Sequence, residues 1–104
     1  MSGGAKPARI VWRPEARADR IAIMEYIAQD SPLAAIELDG EIEDKVDALL
    51  DHPKLYKVSL RVHGTREMVV RPNYIVFYEL VGADIIVLNV VHAARQWTPS
   101  SRGK

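Results

Sequence analysis

The apolar positions change their period once along the chain. Arg9-Ile10-Val11-Trp12-Arg13 is short, β-branched and aromatic, and reads as a strand. Pro14 closes it and suits the first turn of a helix. From Glu15 to about Gln29, the residues Ala18, Ile21, Ala22, Met24, Ile27 and Ala28 recur at three- and four-residue steps, which predicts a helix with these as its buried stripe. Asp30-Ser31-Pro32 breaks the chain and restarts it. Ser31 can cap a second helix and Pro32 fits its first position. Along that helix Ala35, Leu38, Ile42, Val46 and Leu49 line one face, while Asp39, Glu41, Glu43, Asp44 and Asp47 fall mostly elsewhere. Gly40 in its middle costs roughly 1 kcal/mol against alanine. Pro53 ends it. A connection this short makes the two helices an antiparallel hairpin.

Beyond His63-Gly64 the pattern is that of strands. Arg66-Glu67-Met68-Val69-Val70-Arg71 is one, Tyr74 to Val81 a second and Ile85 to Val91 a third, with turns at Pro72-Asn73 and Gly82-Ala83-Asp84. Short turns make these three an antiparallel meander. Tyr74 to Tyr78 and Ile85 to Leu88 are apolar on both faces, so they belong at the centre of a sheet. The helices should cover one side, and something apolar part of the other. The expected architecture is α+β, in the order β-α-α-β-β-β: a helical hairpin packed on an antiparallel β-sheet. One domain, residues 9–98, is expected between tails at 1–8 and 99–104.

Composition narrows the classes. A chain of 104 residues has bulk for one core. Apolar residues at 48% and charged residues at 27% are ordinary for a soluble globular protein and exclude a disordered chain, a collagen or a rod. No apolar run approaches the roughly 18 residues a membrane span needs. The first residues lack an apolar signal core, so a cytoplasmic location is expected. There is no cysteine, which removes disulfides, thiolate zinc sites and cysteine nucleophiles. His52, His63 and His92 lack metal-ligand spacing and no Gly-rich phosphate loop is present, so neither metal nor cofactor is expected. Net charge is zero but divided: residues 1–52 carry −5 and residues 53–104 carry +5. The second half could face a polyanion. Overall neutrality argues against nucleic acid as the main ligand.

Several pieces together resemble the RelE/ParE superfamily of type II toxin–antitoxin toxins. They are the element order at this length, Pro14-Glu15-Ala16 opening the first helix, Gly64-Thr65-Arg66-Glu67 entering the meander, Tyr74-Ile75-Val76-Phe77-Tyr78 in the middle strand, and Val90-Val91-His92-Ala93-Ala94-Arg95-Gln96-Trp97 at the end. The likeness spans residues 9–98. It implies a toxin held inactive by a small cognate antitoxin in a hetero-oligomer, with operator DNA contacted only through that antitoxin. RelE-like members are ribosome-dependent endoribonucleases acting on mRNA. ParE-like members are poisons of DNA gyrase and need no chemistry of their own.

A nuclease of this kind needs a general base, cations for the phosphate and an acid for the leaving oxygen. His92 would be the base, since histidine titrates near neutrality. Arg66, Arg71 and Arg95 could hold phosphate, and Tyr74 or Tyr78 could stack a base. Two departures from the RelE-like pattern favour the ParE-like branch. Ile75 stands where those nucleases typically carry an arginine, and the second helix is strongly acidic with only Lys54 and Lys57 after it. The expected function is therefore a gyrase inhibitor neutralised by a ParD-like antitoxin, with Arg66, Arg71, His92, Arg95 and Trp97 as the target-binding residues. The alternative is an mRNA interferase using His92, Arg66 and Arg95. A third reading is a toxin-like domain without a target, kept as an antitoxin-binding partner. The acidic run Glu37 to Asp51 reads as a solvated helix face or as a docking surface for a basic partner.

Overall fold

The computed structural model describes residues 9–93. The elements are β1 (Arg9–Trp12), α1 (Pro14–Ala28), α2 (Pro32–Ala48), β2 (Arg66–Val70), β3 (Tyr74–Val81) and β4 (Asp84–His92). Their order is the expected β-α-α-β-β-β. The strands lie side by side as β1-β4-β3-β2. β2, β3 and β4 form the expected antiparallel meander, and β1 pairs parallel to β4, Arg9 opposite Asp84 and Trp12 opposite Val87. The sheet is thus mixed. The hairpin of helices carries the chain from β1 back across one face of the sheet to β2, and that return leaves β1 beside the last strand.

Local chemistry sets the helix ends. Pro14 and Pro32 each open a helix, where a missing N–H costs nothing. Ser31 Oγ accepts from the Ala34 N–H at 3.1 Å, so α2 has the side-chain cap its sequence announces. α1 has none, since Arg13 occupies its cap position. Instead the Arg13 N–H donates to Val87 C=O at 3.0 Å, tying the start of α1 directly to β4.

The core lies between the hairpin and the sheet. α2 buries Ala35, Leu38, Ile42 and Val46, and Leu49 at its C-cap completes the predicted stripe. α1 departs from expectation. Its inward face carries Ala16, Ile23, Met24 and Ile27, while Ala18, Ile21 and Ala22 face solvent. Two polar residues, Asp19 and Arg20, share that inward face. Both are partly buried, and the structure supplies them with partners. Arg20 meets Asp39 Oδ1 at 2.6 Å and Glu43 Oε1 at 2.7 Å on α2, and its guanidinium sits 4.8 Å from the Trp12 ring. It stitches β1, α1 and α2 together.

β3 is buried on both faces. Tyr74, Val76 and Tyr78 join the main core under the helices, and Ile75 and Phe77 form a smaller cluster with Val91 on the other side. Val62, from the connection before β2, and Leu88 pack against that smaller cluster. A bulge between Phe77 and Tyr78 shifts the β3–β4 register, so that Asn89 faces Phe77 and Val87 faces Tyr78. The bulge redirects β4 at the point where β1 stops.

Candidate functional site

The candidate residues divide between the two ends of the sheet. At one end His92, the last residue of β4, faces Tyr74 across the ladder. Their rings meet edge-on, with centroids 4.9 Å apart. His92 Nδ1 is buried and has no hydrogen-bond partner among the described residues. Tyr74 also faces Val70 on β2, so Arg71 follows at the same end. Arg71 takes a left-handed backbone, φ 57°, in the turn after β2. Its guanidinium reaches Glu41 Oε1 on α2 at 2.6 Å.

At the other end Arg66 begins β2, opposite Tyr78. Its Nη1 donates to the Tyr56 carbonyl at 2.6 Å, and Tyr78 Oη donates to the Pro53 carbonyl at 2.8 Å. Burial pushes the Tyr78 phenol up to about 12, against the opposing pull of the Arg66 charge. Arg66 and Tyr78 therefore clamp the chain that leaves α2. Tyr78 lies four positions along β3 from Tyr74, so His92 and Arg66 stand roughly 13 Å apart along the strands. His92 and Arg71 share one end, and Arg66 is at the far end from them. Arg95 and Trp97 lie outside the described residues, as does the stretch of the expected domain beyond residue 93.

The outer face of the sheet, away from the helices, is apolar at its centre. Ile75 is 3% exposed and packs with Phe77 and Val91. Beside that cluster sits a buried acid, Glu67, 4% exposed. Ser59 Oγ donates to Glu67 Oε2 at 2.7 Å, and Arg61 lies 3.7 Å from the same oxygen. The Ser59 hydroxyl also accepts the N–H groups of Arg61 and Val62 at 3.0 Å each. Neither Ser59 nor Glu67 stands among the sequence candidates. A signal was present: Glu67 is one of only three acids in residues 53–104, and it interrupts an apolar strand. Asp19 was hidden in the same way, as a polar residue inside a helical stripe.

An open recess of about 370 Å³ is bounded by Trp12, Arg17, Arg20, Ile21 and Glu43. The charges of Arg20 and Glu43 are committed to each other across it. Among the described residues no group of histidines and carboxylates could hold a metal ion, and no helix is long and apolar enough to cross a membrane.

The arrangement has known relatives. The family model for the ParE toxin of the type II toxin–antitoxin system parDE matches residues 10–97. The toxin RelE2 of Caulobacter vibrioides is 35% identical over 88 residues, covering 85% of this chain and 98% of that protein. Among solved structures, the chromosomal ParDE system of P. aeruginosa contains a chain that superposes with a TM-score of 0.71 at 21% identity, covering 84% of this chain and 96% of that one. A chain of the RelBE2 toxin–antitoxin complex of Mycobacterium tuberculosis superposes with a TM-score of 0.51 at 21% identity, covering 83% and 98%. The two structural likenesses carry the fold, and the family match over nearly the whole described chain carries the kinship: this protein belongs to the ParE toxin family, within the ParE/RelE superfamily of type II toxin–antitoxin toxins.

Proposed function

We propose that this toxin acts by binding and inhibiting DNA gyrase, and that a ParD-like antitoxin neutralises it by covering its surface in a hetero-oligomer. The observation that supports this most is the setting of Ile75. RelE-like nucleases typically carry an arginine at that place in the middle strand. Here the position is buried in an apolar cluster, so the residue standing there brings no cation to a phosphate. The two neighbouring arginines are also engaged, Arg66 with the Tyr56 carbonyl and Arg71 with Glu41. Stabilising a pentacoordinate phosphate needs preorganised, uncommitted donors. A protein that grips its target and does no chemistry needs none. His92, Arg66, Arg71, Arg95 and Trp97 would then serve as contacts.

The antitoxin reading draws on the helical hairpin. Ile21, Tyr26, Leu33 and Ile36 are all exposed there, and an amphipathic segment of a partner would cover such side chains. Expressed alone, the chain should inhibit growth or aggregate, and co-expression with its antitoxin should relieve both.

The test is a DNA-topology assay with purified gyrase beside a ribosome-programmed mRNA cleavage assay, both with the toxin freed from its antitoxin. Inhibited supercoiling or trapped cleaved DNA, with mRNA intact, is the expected result. Codon-positioned mRNA cuts with gyrase untouched would overturn the reading and return His92 to the role of base.

A further inference from the structure

The connection from α2 to β2 runs from residue 49 to residue 65. Connections longer than about 12–15 residues without regular structure are uncommon in small domains and tend to be functional when ordered. This one is tied down along its length. Tyr78 holds the Pro53 carbonyl and Arg66 the Tyr56 carbonyl. The Lys57 carbonyl accepts the Glu67 N–H at 3.0 Å, and the Ser59 N–H donates to the Thr65 carbonyl at 2.8 Å. The buried Ser59–Glu67 bond fixes the bend, and Thr65 Oγ1 donates to the Val62 carbonyl at 2.8 Å.

What this scaffold presents is unexpected for a solvated loop. Leu55 and Val58 are more than half exposed, and Leu60 is 96% exposed. Lys54, Lys57 and Arg61 are exposed between and beside them. Ser59 and Thr65 are buried while the aliphatic side chains of Leu55, Val58 and Leu60 point outward. Such an inversion keeps apolar surface in water at a cost of about 25 cal/mol per Å². Rigid, exposed apolar surface rimmed by cations marks an interface.

We infer that residues 54–61 form a preorganised docking surface for an acidic protein segment that carries aliphatic side chains. The charge of the surface selects the acid, and Leu55, Val58 and Leu60 select the aliphatic groups. Nucleic acid fits less well, because single strands are held by stacking on exposed aromatics, and the one aromatic here, Tyr56, is half-buried. Preorganisation by Tyr78, Arg66 and Glu67 removes the ordering cost a free loop would add on binding. This inference does not depend on which target the toxin has.

The test titrates the full chain with a fluorescein-labelled peptide alternating aspartate and leucine, read by anisotropy. Binding should weaken with added salt, and Leu60→Ser and Lys57→Glu should each weaken it by about ten-fold. Both positions are exposed, so the Tm should not change. Leu33→Ser, on the exposed face of α2, should leave binding as it was. The inference fails if the two loop variants bind like the parent. It fails equally if a lysine–leucine peptide binds as well. Displacement of the acidic peptide by a single-stranded oligonucleotide would make the loop a nucleic-acid surface. Dimerisation of the chain that Leu60→Ser abolishes would make it a contact between copies. Either result replaces the proposed partner.

Discussion

Asp19 on α1 accepts the backbone N–H of Val90 on β4, with Oδ2 3.0 Å from the nitrogen. The same oxygen accepts from Asn89 Nδ2 at 3.2 Å. β1 covers β4 only as far as Val87, so the strand beyond it has a bare edge on that side. A buried N–H there must find an acceptor. The helix supplies a carboxylate where β1 has run out. Asp19→Ala should therefore destabilise the chain by about 2 kcal/mol, the cost of stranding a donor that had a charged acceptor. Asp19→Asn keeps an acceptor oxygen and should lose about half as much. Urea denaturation of the two variants checks this. Wild-type stability in Asp19→Ala would mean that water serves the Val90 N–H.

The inward face of α1 makes a second, sharper prediction. Ile21 and Ile23 are two residues apart on one helix, and sequence periodicity assigned the wrong one to the core. Ile23 packs against the main cluster while Ile21 is 58% exposed. Ile23→Ala should cost about 2 kcal/mol or more, and Ile21→Ala should stay within about 0.5 kcal/mol. Thermal melts of the two variants distinguish the faces directly. Equal losses would place the stripe where its periodicity alone puts it.

That error shows what was legible and what was not. α2 was readable because one stripe, Ala35 to Leu49, carries its buried residues and acids occupy the rest. α1 has apolar residues on all sides, and its true inner face includes Asp19 and Arg20. Their burial depends on Val90, Asn89, Asp39 and Glu43, which come from other elements and leave no trace in local periodicity. β3 was readable to the residue, since an unbroken apolar run between turns can only sit at a sheet's centre. The parallel placement of β1 was not, because four residues carry no information about their neighbour. For the site, the sequence pointed to the arginines and His92. It could not show that Arg66 is occupied by a carbonyl ten residues away, or that Arg71 is paired with α2.

Gly40 offers a test of how far function constrains the hairpin. It lies in the middle of α2, and a Cβ built there meets nothing within 4 Å. Its backbone is ordinary helix, so alanine adds no strain. Gly40→Ala should raise stability by about 0.5–1 kcal/mol. Gly64 and Gly82 have φ of 83° and 58°, and the same substitution at either should lower stability by a similar amount. Chemical denaturation of the three variants checks the order. If Gly40→Ala stabilises the fold yet weakens antitoxin binding, the missing side chain marks the partner's path across α2.

The phenol of Tyr78 makes alkaline stability a readout of the clamp on the connection. Its ordinary value is 10, and burial raises it to about 12 in the folded chain. The folded state thus holds the proton more tightly than the unfolded state does. Its contribution is complete below pH 10 and is lost as pH rises from 10 toward 12. The loss from this one group should reach on the order of 2 kcal/mol. Tyr78→Phe removes the titration and also the bond to the Pro53 carbonyl. At neutral pH the variant should be less stable by about 1 kcal/mol. Between pH 10 and 12 its stability should fall less steeply than the parent's, so the two curves converge and then cross. Lysines and the other tyrosines titrate in both proteins and cancel in the difference. Parallel curves over that window would mean that the phenol is solvated and the clamp open. Convergence would tie Tyr78 ionisation to release of the segment that begins at Pro53. Amide exchange at Leu55 and Glu67, whose N–H groups donate to the His52 and Lys57 carbonyls, should then quicken over the same pH window.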